Sequence, residues 1–502
     1  MSAAPDRSIW SGSWLTERTR QTPDATAVEV SGRAISYAEL RTETDSWVEG
    51  LRTRGVEPGD TVAALLDNGL EWALLLWAVQ EIGATLLPLN LRFVTGELVH
   101  VLRDSEAAFL LHGPGEKADL AREAVALCPG LTRCEVEEGE LAQSERTPGE
   151  VPRKGAGRDA ETDLLAILYT SGTSGSPKGA MLSSSAFWSS AVGSAELLGT
   201  GAEDRWLVCM PLFHVGGLSV LIRACLAGSC AVIQPRFDAA AVAQALEHQG
   251  ISGVSFVATM LERVLAVRGA LPSPPGLRCV LLGGGPASEA LVERAESLGY
   301  PIAPTYGLTE AASQVATRLP GAFEGPLAGG LRALPGTALR IVDEDDRPLE
   351  PGSVGEICVQ GPTVMQGYKG LPEATDHALR SGWLHTGDAG RLDSAGRLQV
   401  LERRDDLIIS GGENIYPAEV ESVLEAHPQI REAGVVGEGH ADLGSRPVAW
   451  CVAASGEKPS ADALSEFCRS RLAAYKVPDR FYWLDALPRT ASGKLQRRKL
   501  RD

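Results

Sequence analysis

The sequence lacks an apolar run long enough to cross a membrane. The longest approach, Trp72 to Val79, is flanked by Glu71 and Gln80, whereas a membrane-spanning helix needs about eighteen or more apolar residues. No apolar segment follows the polar first residues, so a signal peptide is not expected either. These absences predict a cytoplasmic protein without membrane insertion.

Paired cysteines and positive charge are also scarce. None of the nine cysteines falls in a CxxC pair, which argues against a zinc site or a disulfide framework and favours a reducing compartment. The 47 Lys and Arg residues face 65 Asp and Glu residues, giving a net charge of −18. This charge disfavours general binding to nucleic acid or to anionic membranes. Any anionic substrate must therefore be held by locally placed cations.

The 502 residues are enough for two or more domains. Strand and helix signals alternate at Thr61 to Leu66, Glu71 to Ile82 and Ala84 to Leu89, which predicts parallel βαβ units. Short strands with glycine-rich turns dominate from about residue 340 to 400, and a compact α+β pattern follows. We therefore predict an α/β fold: a large N-terminal domain with parallel βαβ subdomains and a β-rich subdomain, plus a small mobile C-terminal α+β domain.

The segment Tyr169 to Gly179, YTSGTSGSPKG, is the most informative of the chain. It follows an apolar run, Leu164 to Leu168, which reads as a buried strand. Backbone N–H groups and hydroxyls in such a loop can surround a phosphate, and Lys178 adds a positive charge. The segment is not a Walker A loop, because glycine rather than Ser or Thr follows the lysine. A flexible linker is the alternative, but a linker need not follow a buried strand.

If the segment binds phosphate, other motifs could contact further parts of a nucleotide. In Tyr306 to Glu310, the tyrosine ring can cover a purine, Thr309 can donate to a phosphate and Glu310 can hold Mg²⁺. Asp388, in a tight turn, can accept both hydroxyls of a ribose. Taken alone, each is more readily a helix cap or a surface turn. The run Ser492-Gly493-Lys494 predicts a constrained turn that carries Lys494.

Together these segments resemble the adenylate-forming superfamily of acyl-CoA synthetases, peptide-synthetase adenylation domains and beetle luciferases. The resemblance covers nearly the whole chain, and one departure is Glu402, where many members have glycine. The matching segments, in the expected order, are Thr170 to Gly179, Tyr306 to Glu310, Thr386 to Asp388, Arg403 to Asp405, Gly411 to Pro417 and Ser492 to Lys494.

The resemblance implies an acid–thiol ligase with two half-reactions. A carboxylate attacks the α-phosphate of ATP to form an acyl-adenylate, and a thiol, usually of coenzyme A, then displaces AMP. ATP, Mg²⁺ and coenzyme A are the expected small-molecule partners, and a homo-oligomer is left open. The implied ATP-binding residues are Thr170, Ser171, Gly172, Thr173, Ser174, Gly175, Lys178, Tyr306, Thr309, Asp388, Arg403 and Lys494, with Glu310 on the metal.

The resemblance also implies how the parts act. Lys494, Thr309, Glu310 and His214 are the expected catalytic residues. The expected domains are residues 1–403 and 404–502, with a hinge near Asp405 that lets the small domain rotate between the half-reactions. The thioester-step loop would be formed by Gly411, Gly412, Glu413 and Asn414.

The acyl pocket is expected around Met210 to Leu218, where the family places its gate. His214 lies there, although a packed core imidazole is the alternative. Arg223 falls among apolar residues of a predicted helix, Gly217 to Leu226. Since arginine is rarely buried without a partner, a second substrate carboxylate would fit it. The remaining expected acyl-pocket residues are Gly283, Gly284 and Gly285, which would leave room for a ring, and Ser313.

Within the family, this pattern is most similar to the branch that activates o-succinylbenzoate, an aromatic dicarboxylic acid of menaquinone biosynthesis. A ligase for simple aryl acids such as benzoate or anthranilate remains open, with Arg223 then paired to a protein carboxylate. A medium-chain fatty acyl ligase and a stand-alone enzyme that loads a carrier protein also remain open. A nucleotide sensor without enzymatic activity is a further alternative, and it would not need Lys494.

Overall fold

The computed structural model of the chain describes residues 13–137, 140–146, 164–170, 177–285, 287–321, 330–402, 407–454, 458–488, 495 and 497–500. Its α-helices, in chain order, are α1 (Trp14–Gln21), α2 (Tyr37–Thr53), α3 (Leu70–Ile82), α4 (Thr95–Asp104), α5 (Glu116–Ala126), α6 (Ser184–Leu198), α7 (Val215–Ala227), α8 (Ala239–His248), α9 (Ala258–Arg268), α10 (Glu289–Ser297), α11 (Pro372–Ala378), α12 (Pro417–Glu425) and α13 (Ala461–Arg469). Short 3₁₀ turns cover Thr309–Ala311, Ala474–Lys476 and Arg497–Leu500.

Within these described residues, the strands form four sheets. In chain order they are β1 (Thr26–Val30), β2 (Arg33–Ser36), β3 (Thr61–Leu65), β4 (Thr85–Pro88), β5 (Ala107–His112), β6 (Thr132–Glu137), β7 (Glu140–Arg146), β8 (Leu164–Thr170), β9 (Lys178–Ser183), β10 (Arg205–Val208), β11 (Cys230–Ile233), β12 (Gly253–Phe256), β13 (Cys279–Leu282), β14 (Ile302–Leu308), β15 (Ser313–Thr317), β16 (Arg332–Ala333), β17 (Ala338–Val342), β18 (Gly355–Gln360), β19 (Gly367–Tyr368), β20 (Leu379–Arg380), β21 (Trp383–Leu392), β22 (Leu398–Glu402), β23 (Ile408–Ser410), β24 (Glu413–Ile415), β25 (Ile430–His440), β26 (Gly444–Ala453) and β27 (Arg480–Trp483).

In each of the two large sheets the central strands run parallel to one another, as the alternating pattern predicts. The first has the strand order β19-β9-β8-β4-β3-β5-β6-β7, and β3 pairs in parallel with both β4 and β5. The second has the order β16-β15-β14-β13-β12-β10-β11-β1-β2, with parallel pairing from β14 through β1. All five residues of β3 are buried, as expected for a strand covered on both faces.

The main core lies between the two large sheets. It combines side chains of both sheets, such as Val62 and Ala231, with helices α2, α3, α6 and α7. Ten of the thirteen residues of α3 are buried, and the same is true of α7. A helix that is apolar on all sides must be enclosed on all sides, which explains why these two helices occupy the middle layer.

The β-rich region and the C-terminal domain form the other two sheets. Strands β17, β18, β21, β20 and β22 make one antiparallel sheet. Strands β23 to β27 make the other sheet, which is antiparallel except for the parallel pair β26–β27. The C-terminal domain has its own core, which includes Val420, Leu424 and Leu464. Residues 403–406 lie outside the described residues, so the division between residues 403 and 404 and the hinge at Asp405 stay predictions.

The phosphate-loop segment connects two antiparallel strands. Thr170 at the end of β8 pairs with Lys178 at the start of β9. A Cβ on Gly179 would lie 2.7 Å from the Ile167 Cγ2 atom, which explains why glycine follows the lysine. A strand rather than a helix continues the loop, and this agrees with the prediction that the segment is not a Walker A loop. All nine cysteines are free and buried.

Candidate active site

A cavity of about 470 Å³ lies where the large sheets, the β-rich sheet and the C-terminal domain meet. Its volume is within the range of small-molecule sites. Many of the residues that the sequence predicts for the site line it together. They are Thr170, Lys178, His214, Arg223, Gly283, Gly284, Thr309, Glu310, Ser313, Asp388, Gly412, Glu413 and Asn414.

One side of the cavity presents a carboxylate and an ammonium at the ends of the phosphate-loop strands. The Glu310 Oε1 atom accepts hydrogen bonds from the hydroxyls of Thr170 (3.5 Å) and Tyr368 (3.0 Å). The Lys178 Nζ atom lies 5.4 Å from the centroid of the Tyr368 ring. No hydrogen bond to the Glu310 Oε2 atom is seen from any described residue. A carboxylate oxygen available in this way is the kind of ligand that Mg²⁺ takes beside phosphates.

A second side holds Asp388 in a defined orientation. The Asp388 Oδ2 atom accepts a hydrogen bond of 2.7 Å from the Tyr306 hydroxyl. The backbone amide of Asp388 donates to the Thr386 Oγ1 atom, and that of Gly387 donates to the Glu356 Oε1 atom. Tyr306 itself is 4% exposed and lies behind Asp388. Its predicted contact with adenine stays a prediction.

Arg223 forms the third notable part of the wall. It lies in the middle of α7, is 7% exposed and lines the cavity. Its Nη1 atom donates to the Ser219 Oγ atom (3.1 Å), and its guanidinium carbon lies 5.0 Å from the centroid of the Trp206 ring. Its buried Nη2 atom has no hydrogen-bond partner among the described residues. Burial lowers the pKa of Arg223 to about 10, and no carboxylate of the described residues pairs with this cation.

The three glycines of the predicted acyl pocket have different surroundings. A Cβ on Gly283 would lie 2.6 Å from the Thr305 Cγ2 atom, and Gly284 has a φ of +76°. Gly285 does not line the cavity; a Cβ there would lie 2.9 Å from the Ile409 Cδ1 atom of the C-terminal domain. Gly285 therefore lets the two domains approach. Ser313 lines the cavity, and its hydroxyl lies 3.4 Å from the Ser219 hydroxyl.

The C-terminal domain closes the cavity with Glu413. The Glu413 Oε2 atom lies 3.1 Å from the His214 Nε2 atom, and its Oε1 atom lies 3.4 Å from an Arg92 guanidinium nitrogen. Burial by itself would raise the pKa of Glu413, but His214 and Arg92 outweigh it, so the pKa lies below its ordinary value. Two predicted residues, Glu413 and His214, are thus joined although they belong to different domains.

Glycines give the Glu413 turn its shape. Gly411 and Gly412 have φ values of +59° and +89°, a region that favours glycine. The Gly411 amide donates to the Leu443 carbonyl. A Cβ on Gly412 would lie 3.2 Å from the Val257 Cγ2 atom of the N-terminal domain. Both glycines are therefore needed to place Glu413 beside His214.

Several residues of the site are not predicted from the sequence. Tyr368 and Glu356 belong to short strands of no distinctive pattern, and only their contacts with Glu310 and Gly387 reveal them. Lys476 is different, because it lies in a mostly apolar run, LAAYKV. A cation within an apolar run, like Arg223 in its helix, indicates a buried charge that needs a partner. The remaining predicted residues lie outside the described part of the chain, and their roles stay predictions: Ser171, Gly172, Thr173, Ser174, Gly175, Arg403, Asp405 and Lys494.

Two family models match most of the chain. The model of the AMP-binding enzymes matches residues 15–369, and that of the AMP-binding enzyme C-terminal domain matches residues 419–494. The chain therefore belongs to the AMP-binding enzyme family, and the resemblance seen in its motifs is confirmed. Within the described residues, no helix is both long and apolar enough to span a bilayer.

The proteins similar to this chain include ligases of 2-succinylbenzoate. The 2-succinylbenzoate–CoA ligase of Bacillus mycoides (strain KBAB4) is 40% identical over 488 residues, which are 97% of this chain and 98% of that protein. A double mutant of o-succinylbenzoate CoA synthetase from Bacillus subtilis, bound with the product analogue OSB-NCoA, is 37% identical with a TM-score of 0.88; the alignment covers 98% of each chain. The same synthetase in complex with the acyl-adenylate intermediate OSB-AMP gives 37% identity, the same coverage and a TM-score of 0.72.

Proposed function

We propose that this protein is an ATP-dependent ligase that converts 2-succinylbenzoate to its coenzyme A thioester, with ATP, Mg²⁺ and coenzyme A as the other participants. The reaction proceeds through an acyl-adenylate, and the acid is one of menaquinone biosynthesis. The similarity to ligases of this acid over nearly the whole chain supports the proposal. The buried, free cysteines agree with a reducing cytoplasm.

The environment of Arg223 is the observation that favours 2-succinylbenzoate as the substrate. A buried guanidinium beside the cavity, whose Nη2 atom has no hydrogen-bond partner among the described residues, can pair with a carboxylate that is not the one being activated. An acid with two carboxylates supplies both groups. The aryl-acid alternative requires a protein carboxylate on Arg223, and no ion pair of Arg223 is seen within the described residues. A fatty acyl chain would leave the cation buried and unpaired, which is costly.

In the first half-reaction, an oxygen of the substrate carboxylate attacks the α-phosphorus of ATP. The new O–P bond forms as the bond to the bridging oxygen breaks, and pyrophosphate leaves. Asp388 holds the ribose, while Thr170 and Lys178 bind the phosphates. Bound Mg²⁺ would reduce the phosphate charge, and Glu310 is the residue placed to hold it. Lys494 is proposed to stabilise the charge where the two anions meet.

In the second half-reaction, the sulfur of coenzyme A attacks the acyl carbon. The C–S bond forms, the C–O bond to AMP breaks, and the thiol proton passes to solvent. His214 and Glu413 lie at the junction where the acyl group and the thiol must meet. Residues Gly411 to Asn414 are proposed to shape this junction, as the thioester-step loop of the C-terminal domain.

A comparison of acids tests the proposal. Pyrophosphate release is measured with 2-succinylbenzoate, benzoate, anthranilate and octanoate, and the acyl product is then identified by mass with coenzyme A present or absent. We expect the highest kcat/KM with 2-succinylbenzoate and a coenzyme A thioester as product. Preference for a monocarboxylic acid would contradict the proposed substrate, and an adenylate that does not react with coenzyme A would favour a carrier-protein acceptor.

A further inference from the structure

A buried lysine of the C-terminal domain joins carboxylates from both domains. The Lys476 Nζ atom donates to the Glu419 Oε1 atom of α12 and to the Glu97 Oε1 atom of α4, each at 2.7 Å. The lysine side chain is 2% exposed, and the two carboxylates are 5% and 6% exposed. The pair with Glu419 lies within the C-terminal domain, whereas the pair with Glu97 exists only while the two domains are docked.

The electrostatics favour the docked arrangement. Burial would lower the pKa of Lys476, but Glu419, Tyr475 and Glu97 outweigh it, and the pKa lies above its ordinary value. The ammonium therefore stays charged when it is buried. Removing one partner from a buried ion pair is strongly destabilising. The Glu97 carboxylate therefore stabilises the arrangement in which the C-terminal domain is docked on the N-terminal domain.

Glu97 is held in place by a hydrogen bond within the N-terminal domain. Its Oε2 atom accepts a hydrogen bond of 3.0 Å from the Val94 amide at the start of α4, which leaves Oε1 for the lysine. An oriented carboxylate loses little entropy on pairing. The ring centroids of Phe93 and Tyr475 lie 5.8 Å and 5.7 Å from the Lys476 Nζ atom and enclose the pair in an apolar setting.

The same edge of the N-terminal domain contacts Glu413. The Asn90 Nδ2 atom lies 3.4 Å from both the Glu413 Oε2 atom and the Tyr475 hydroxyl. Lys476 and Glu413 both line the cavity. The position of Lys476 is thus coupled to that of Glu413 and His214 through one short segment, residues 90–97.

We propose that the Lys476–Glu97 ion pair is a latch that holds the C-terminal domain in the arrangement used for thioester formation. The inference rests on the proposed two-step function. Lys476 and Glu97 act as positioning residues, because they place the Glu413 turn at the cavity. The latch must open when the domain rotates for adenylate formation, so its loss should affect the two half-reactions unequally.

Glu97→Gln tests the latch, since glutamine can still accept from the Val94 amide but carries no charge. The rate of adenylate formation is measured by pyrophosphate release, and thioester formation is measured in single turnovers from preformed adenylate at saturating coenzyme A. We expect adenylate formation within about twofold of the unaltered protein and thioester formation reduced about tenfold or more. Lys476→Met should show the same imbalance.

Glu296→Gln is a matched control. Glu296 also belongs to the N-terminal domain and pairs with a buried cation, Arg318, at 3.1 Å. We expect this variant to leave the ratio of the two rates unchanged. Equal loss of both half-reactions in Glu97→Gln, or no loss of thioester formation, would overturn the latch.

A distance measurement tests the latch independently of which acid the protein activates. Spin labels are attached at Leu127→Cys and Asp462→Cys, two exposed positions on different domains, while the native cysteines are buried. We expect a dominant distance that broadens or shifts in Glu97→Gln but not in Glu296→Gln. An unchanged distribution would contradict the latch. Failure of the unaltered protein to activate any dicarboxylic acid would contradict the proposed function instead.

Discussion

Replacing Arg223 by methionine is the sharpest test of how the site selects its acid. Methionine keeps an unbranched apolar stem but removes the cation, its bond to Ser219 and its position over Trp206. With 2-succinylbenzoate bound, the second carboxylate would then be buried without a partner. Removing one member of a buried pair costs about 3–5 kcal/mol, which corresponds to a fall of roughly a hundred- to several-thousand-fold in kcat/KM. Benzoate has no such group, so its kcat/KM should change by less than about threefold.

The same substitution should raise the stability of the protein without bound substrate, although it lowers kcat/KM for 2-succinylbenzoate. Burial lowers the pKa of Arg223 from 12.5 to about 10, which corresponds to a cost of about 3 kcal/mol for the charged form in the folded state. This cost applies in full below pH 10 and fades as the pH rises towards 12.5. The hydrogen bond to Ser219 and the contact with Trp206 offset about 2 kcal/mol of it. We therefore expect Arg223→Met to stabilise the empty protein by about 1 kcal/mol at neutral pH.

Pyrophosphate release with each acid and urea unfolding of the empty protein measure the two effects. Arg268→Met is the matched control, because Arg268 is equally buried in a helix but pairs with Glu247 and Tyr300 away from the cavity. The control should lose stability and keep its ratio of activities. If Arg223→Met loses 2 kcal/mol or more of stability and kcat/KM falls equally for both acids, Arg223 supports the fold and does not bind a second substrate carboxylate.

The remaining predictions concern the two half-reactions. Lys494→Ala should cripple adenylate formation but spare thioester formation from preformed adenylate, and equal loss in both steps would contradict a role in one arrangement only. Glu310→Gln should raise the Mg²⁺ concentration for half-maximal adenylate formation about tenfold or more, and an unchanged requirement would remove the metal assignment. Because the pKa of Glu413 is lowered, its carboxylate is fully ionised above about pH 4.5 and loses its charge as the pH falls through the lowered value. Glu413→Gln should therefore slow thioester formation at neutral pH and remove this acid limb from the rate profile.

Local patterns of the sequence were sufficient for the elements that depend on neighbours along the chain. The apolar runs of β3, α3 and β4 predict buried parallel units, and the structure contains them. The capping box that Ser36 and Glu39 form at the start of α2 is equally local, because the two residues are three positions apart. The motif residues Thr170, Glu310 and Asp388 were found in the same way, because each depends on a short run of residue types. Their meeting at one cavity follows from the fold.

Contacts between distant residues could not be predicted in this way. Gly285 illustrates the limit: its sequence context suggests space for a substrate ring, whereas the structure places it against Ile409 of the other domain. Glu356 and Tyr368 likewise gain their roles only through strands that pair far along the chain. A residue type describes which bonds a side chain can form, but the partner is chosen by packing.

The sequence by itself determined the class of chemistry, because the segments predicted to bind the phosphates, the metal and the ribose each consist of a few consecutive residues. The tertiary structure decided the rest. It left Arg223 buried beside the cavity with no carboxylate of the described residues paired to it, and it brought Lys476 to Glu97 across 379 positions of the chain. Charge pairing depends on distance and burial in three dimensions, and neither quantity can be read from the order of residues alone.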